Sequence, residues 1–115
     1  MFVFGGFTGD KVLNDMFSFD LDQNEWSCII QNSEDEESKG DVIQPTARMS
    51  HAACLDSLFD QKMYIFGGSG IEIGNQNYSD LWEFDCISKT FIEIRQCHKS
   101  GVKPTGMYGH SLNSF

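Results

Sequence analysis

Four cysteines, three histidines and a run of carboxylates are the residues of this chain whose chemistry goes beyond packing. Cys28, Cys54, Cys86 and Cys97 include no C-x-x-C pair, so neither a zinc clip nor a dithiol redox motif is written here. They read as reduced, mostly buried thiols, because a free cysteine packs as a small hydrophobe. Cys97-His98 is adjacent, a spacing that suits no common chelate, and His51 and His110 stand alone. Gly67-Gly68-Ser69-Gly70 lacks the lysine and the following helix that a phosphate loop needs. No nucleophile elbow is present either. Asn77-Tyr78-Ser79 fits the glycosylation sequon, which has meaning only in a secreted chain. These residues point to no metal, no cofactor and no catalytic centre.

"SEDEES" at 33–38 concentrates Glu34, Asp35, Glu36 and Glu37. Two readings stand side by side: a solvated loop, or a landing patch for a basic protein segment. Phe7, Ile71, Ile73 and Tyr78 are apolar residues in otherwise polar stretches, and Lys11 lies in the first of them. They either tuck back against the scaffold or form an exposed contact patch. Together these nine residues are the candidate protein-binding set.

Composition narrows the partners. The 115 residues are 40% hydrophobic, enough for one packed domain. The net charge of −9 opposes binding to nucleic acid and to anionic membranes. No apolar stretch is long enough to span a bilayer and no basic-then-apolar leader opens the chain, so the expected setting is cytoplasmic, with the nucleus as the other compartment.

The elements that must position these residues repeat. "MFVFGGFTG" at 1–9 returns as "KMYIFGGSG" at 62–70. With Gly5-Gly6 set on Gly67-Gly68 and three extra residues allowed in the next loop, Asp15 falls on Asp80, Phe17 on Trp82, Phe19 on Phe84, Asp20 on Asp85 and Trp26 on Phe91. A second echo joins "PTARMSHAACL" (45–55) to "PTGMYGHSLNS" (104–114), matching His51 to His110. Each unit reads as four short strands, in the second unit 50–56, 62–68, 80–85 and 91–94, separated by Gly, Asn, Asp and Ser. No window carries a helical period.

The residue types suggest how these strands stack. The second strand is apolar at consecutive positions, Met63 to Phe66, as expected when both faces are covered. Ala52, Ala53 and Cys54 are small, suited to a crowded inner strand, while Trp82 and Phe84 would fill the gap where sheets diverge. A meander narrow inside and bulky outside is a propeller blade. The paired glycines let the chain leave the second strand sharply beside a neighbour, since glycine accepts positive φ and close backbone approach. Asp15 or Asp80, following Asn14 or Ser79, is expected to close the loop that the glycines open.

"FVFGG" with "YIFGG", "NDMFSFD" with "SDLWEFD", the later aromatics Trp26 and Phe91, and "PTARMSH" together resemble the kelch repeat. The resemblance implies an all-β fold of kelch-type β-propeller blades. By count the propeller is incomplete, with about two blades: strands 2–4 of a partial blade at 1–31, an acidic inter-blade loop at 32–44, a complete blade at 45–95, a loop at 96–103 and the first strand of a third blade at 104–115. Two blades do not close a ring, so a fragment of a longer protein is expected, with self-association through open blade edges as the alternative. The long loops after each Gly-Gly and between the blades emerge on one side, the natural partner face. The resemblance further implies a non-enzymatic adaptor or scaffold that binds other proteins, as in ubiquitin-ligase substrate recruitment or cytoskeletal and trafficking scaffolds. The alternative is a piece of a kelch-propeller enzyme such as a copper oxidase or isomerase. Arg48 is expected to make an intramolecular ion pair; its counterpart in the third lead-in is Met107.

Overall fold

The computed structural model describes residues 1–32, 43–56, 61–70, 77–96 and 102–114. It is all-β: among the described residues there are two antiparallel sheets and no helix. The first sheet has three strands, β1 (Phe2–Phe7), β2 (Val12–Asp20) and β3 (Glu25–Ile30), paired in chain order. The second has four, β4 (Ala52–Asp56), β5 (Lys62–Phe66), β6 (Leu81–Asp85) and β7 (Thr90–Ile94), also in chain order. Both are meanders, and the strands expected in the second unit lie within a residue or two of the observed ones.

Aspartates set the hairpin turns. Asp20 Oδ1 accepts the N–H groups of Asp22 and Gln23 at 2.8 and 3.0 Å; Asp85 Oδ1 accepts those of Ile87 and Ser88 at 2.8 and 2.9 Å. These donors hold both carboxyls below their ordinary pKa. Asn24 and Lys89 complete the turns at φ 57° and 61°.

The two sheets pack face to face. From the second sheet come Met63, Ile65, Trp82, Phe84, Cys86 and Phe91; from the first come Phe4 and Met16, with Phe2, Ile29 and Ile30 at the margin. Phe91 is the hub, with ring centroids 5.4 Å from Phe4 and 4.8 Å from Phe84. Alternation along each strand produces this, since opposite residues such as Ile65 and Trp82, or Phe84 and Phe91, share a face.

The repeat makes the opposite face of the first sheet instructive. Val3, Phe17, Phe19 and Trp26 are the counterparts of buried Ile65, Trp82, Phe84 and Phe91. Yet Trp26 is 55% exposed and Val3 40%. Their rings cluster on one another, Trp26 lying 4.8 Å from Phe19 and 6.4 Å from Phe17.

Four expectations need correction. The glycine pair does not end β1: the strand runs on through Gly5 and Gly6 with a bulge, pairing Gly6 with Leu13 and Phe7 with Val12, so the first loop is only Thr8–Lys11. Crowding of the inner strand holds for Ala52, which is buried, and fails for exposed Ala53 and for Leu55, 52% exposed, because the three-stranded first sheet does not extend over the inner edge of the four-stranded one. Likewise only one face of β5 is fully covered, Tyr64 on the other being half-buried. Finally, residues 102–114 form no strand; a ladder needs a partner edge, and among the described residues they have none.

Candidate protein-binding face

Under the loops sits Arg48, wholly buried yet carrying a full charge. Pro45, also fully buried, starts the lead-in that delivers it between the sheets. Nε donates to Thr46 O at 3.1 Å, and Nη2 to Thr46 Oγ1 at 3.2 Å. Nη1 donates to Gly67 O at 3.0 Å, and the two Nη atoms each reach one oxygen of Asp80 at 2.7 Å. That occupies the five donors of a guanidinium in its planar fork, which lysine could not do. The ring of Tyr78 lies against the same group, 4.4 Å from centroid to Cζ. Burial drives the Asp80 carboxyl upward, but the hydrogen bonds from Arg48 and from Trp82 Nε1, the latter at 2.6 Å, outweigh it and leave the pKa lowered.

Backbone bonds lace the two sheets together at this level. Gly6 N–H donates to Arg48 O at 2.9 Å and Arg48 N–H to Leu13 O at 3.1 Å. Within the second unit, Gly67 N–H reaches Asp80 O at 3.4 Å and Tyr78 N–H reaches Gly68 O at 2.9 Å. The glycines are required here: Gly5 and Gly67 have φ of 55° and 68°, and a Cβ on either would stand 2.7 Å from a carbonyl oxygen, that of Leu13 or Met107. Asp80 therefore closes its loop through Arg48 and Gly67. In the first unit the backbone N–H of Asn14 donates to Asn32 Oδ1 at 2.9 Å, tying β2 to the connection that leaves β3.

On this base stand the described candidate residues. Phe7 ends β1 with half its surface in solvent. Exposed Lys11 closes the Thr8–Lys11 turn, in which Thr8 Oγ1 accepts the Lys11 N–H at 3.2 Å and donates to Asp10 Oδ1 at 2.6 Å. Tyr78 is folded back onto Arg48 and belongs to the support rather than the tip. Glu34, Asp35, Glu36, Glu37, Ile71 and Ile73 lie outside the described residues. Sequence reasoning placed Arg48 in an ion pair, as found. It did not single out the Val3–Phe17–Phe19–Trp26 face, although the burial of its repeat counterparts was the available signal.

The described histidines, His51 and His110, serve packing. His51 meets the edge of Phe4 at 5.6 Å, and His110 that of Phe66 at 5.5 Å. Burial foremost, then the charges of Arg48 and His110, lowers the His51 pKa to about 4. Among the described residues no three His, Cys, Asp or Glu side chains group as metal ligands, and no helix is long and apolar enough to cross a membrane.

The KLHDC2/KLHL20/DRC7 Kelch-repeats domain family model matches residues 1–115. Leucine-zipper-like transcriptional regulator 1 of Mus musculus is 29% identical over 119 residues, which cover 100% of this chain and 13% of that protein. Rho GTPase-activating protein gacHH of Dictyostelium discoideum is 32% identical over 95% of the chain and 6% of its own length. Dynein heavy chain-like protein 2 of Plasmodium falciparum (isolate 3D7) is 32% identical over 83% of the chain and 2% of its own length. The chain thus spans a small part of each relative. Two blade-like meanders joined at paired glycines, with the family match along the whole length, make this chain a member of the kelch-repeat family.

Proposed function

We propose that the chain is a non-enzymatic protein-interaction module, an adaptor or scaffold whose partner is engaged by the loops above Arg48. The observation that carries this reading is the fully satisfied Arg48–Asp80–Tyr78 support, which fixes the loop bases while leaving Phe7 and Lys11 at the surface. Rigid scaffolds holding varied loops are where binding residues concentrate. The acidic run Glu34–Glu37 lies outside the described residues; its charge would attract a Lys/Arg-rich protein segment before contact. The described cysteines, Cys28, Cys54 and Cys86, are free thiols, which suits a reducing compartment such as the cytoplasm.

The test replaces Glu34, Asp35, Glu36 and Glu37 with Ser and Gly in the full chain. Binding of basic peptides is then followed by fluorescence anisotropy at low and physiological salt. The expected result is an unchanged circular dichroism spectrum, weaker binding and a shallower salt dependence. Affinity equal to that of the parent protein would overturn the acidic face as the partner site.

A further inference from the structure

The connection that follows the second Gly-Gly is pinned at its described ends, and Tyr78 is the centre of the contacts. Its ring lies on the buried Arg48 guanidinium, 4.4 Å from centroid to Cζ. Its hydroxyl lies over Gly70, 2.8 Å from where a Cβ on that residue would stand. The Tyr78 N–H donates to Gly68 O at 2.9 Å, and the Tyr78 carbonyl accepts the Met107 N–H at 3.3 Å. Beside it a Cβ on Gly106 would overlap the Asn77 carbonyl, and Ser69 bridges to both Met49 and Asn77. Residues 77 and 78 thus touch the lead-in before their sheet, the glycines that follow β5 and the lead-in after the sheet.

The repeat shows that a blade does not demand the phenol. With Asp15 set on Asp80, Leu13 takes the place of Tyr78; with the glycine pairs superposed, Thr8 takes that of Gly70. Leu13 makes the backbone bond of the position, accepting the Arg48 N–H at 3.1 Å as Tyr78 accepts that of Met107. The aromatic ring and the residue without a Cβ opposite it come as a pair, in the second unit. Gly70 is not among the glycines of positive φ, so its backbone is one that alanine adopts. A Cβ there would meet Tyr78 Cζ at 3.6 Å and Ala47 O at 3.8 Å, both ordinary contacts. What bars a side chain at 70 is one atom, the phenol oxygen.

We propose that Tyr78 is the positioning residue of the 69–79 connection: its hydroxyl and Gly70 form a lock that seats both ends of the connection on Arg48 and holds it in one conformation before a partner arrives. The role in binding rests on the reading that the loops above Arg48 engage another protein. Ordering in advance raises affinity, because a loop that is already fixed loses little conformational entropy on contact. The connection carries Ile71 and Ile73, two of the candidate contact residues.

Four variants of the full chain decide it: Gly70→Ala, Tyr78→Phe, the two combined, and Tyr78→Leu, which installs the residue type of the first unit. Amide hydrogen exchange followed by NMR reads the lock itself, at the Ser69 N–H, bonded to Met49 O at 2.9 Å, and at the N–H of position 78. Gly70→Ala should speed both roughly tenfold, as one methyl forced into filled space does, and leave the β5–β6 amides at the parent rate. The combined variant should exchange like Tyr78→Phe alone, because the ring without its oxygen leaves room for the methyl. A combined variant as fast as Gly70→Ala, or Gly70→Ala at the parent rate, overturns the lock.

Fluorescence anisotropy with a Lys/Arg-rich peptide reads the positioning. Gly70→Ala and Tyr78→Leu should each bind roughly tenfold more weakly, and the combined variant should recover the affinity of Tyr78→Phe. A packing role alone would lower the urea midpoint of Gly70→Ala and leave its affinity at the parent value; that result overturns the positioning role. A parent chain that binds no basic peptide while the exchange pattern holds refutes the partner reading and upholds the lock.

Discussion

Arg48 and Asp80, 32 residues apart in the chain, form a two-pronged ion pair with both N–O distances at 2.7 Å. The guanidinium is entirely buried while the carboxylate keeps 23% of its side-chain surface in solvent. Removing one partner of such a pair costs about 3–5 kcal/mol, because the other is left as an uncompensated charge. Asp80→Ala should be the worse of the two single changes, since it strands the more deeply buried ion and also takes the acceptor from Trp82 Nε1. Urea unfolding should show the double variant, Arg48→Met with Asp80→Ala, losing less than the sum of the single losses.

His51 makes the joint acid-sensitive. Its pKa falls from 6.5 to about 4 in the folded chain, chiefly through burial. The unfolded chain therefore binds the proton first, and the stability that neutral His51 confers is present above pH 6.5 and lost as the pH falls from there toward 4. The melting temperature of the parent chain should drop across that window more steeply than that of His51→Gln. Equal slopes would remove His51 as the cause.

Gly5 and Gly9 separate crowding from backbone conformation. Both have positive φ, 55° and 109°, but only at Gly5 would a Cβ meet atoms, Leu13 O at 2.7 Å and Arg48 O at 2.9 Å. Gly9→Ala should cost about 1–2 kcal/mol, the strain of placing an L side chain in the left-handed region. Gly5→Ala should cost more, because the carbonyls it meets belong to two different elements and cannot both move. Denaturant melts of the two variants test the order.

Phe84 and Phe19 occupy one repeat position in two environments. Phe84 is wholly buried between the sheets, so Phe84→Ala should cost about 3–5 kcal/mol. Phe19 faces outward and is only partly buried, and Phe19→Ala should cost less than half as much. Urea unfolding of the two variants tests the difference.

The strands, their order and the paired glycines were legible in the residues because each is a local or periodic property. Alternation names the face, aspartate with a following left-handed residue names the turn, and Gly-Gly names a positive-φ backbone that side chains rarely adopt. Arg48 was expected in an ion pair from the kelch resemblance and not from the repeat, whose third lead-in carries Met107 in its place. Burial was not. Phe19 and Phe84 are the same residue at the same repeat position, and only the stacking order of the sheets leaves one outside and the other in the core. The acidic run shows the limit from the other side: its charge is fixed by composition, whereas its placement is a tertiary matter.

By itself, then, the sequence determined the all-β meander, its repeat and its family, since these follow from chain-local patterning. Only the tertiary structure decided that Tyr78 supports Arg48, that β1 runs on through its glycines, and that residues 102–114 form no strand. Those outcomes depend on which surfaces and edges meet in space, and hydrogen-bond pairing and burial are properties of the meeting, not of either segment alone.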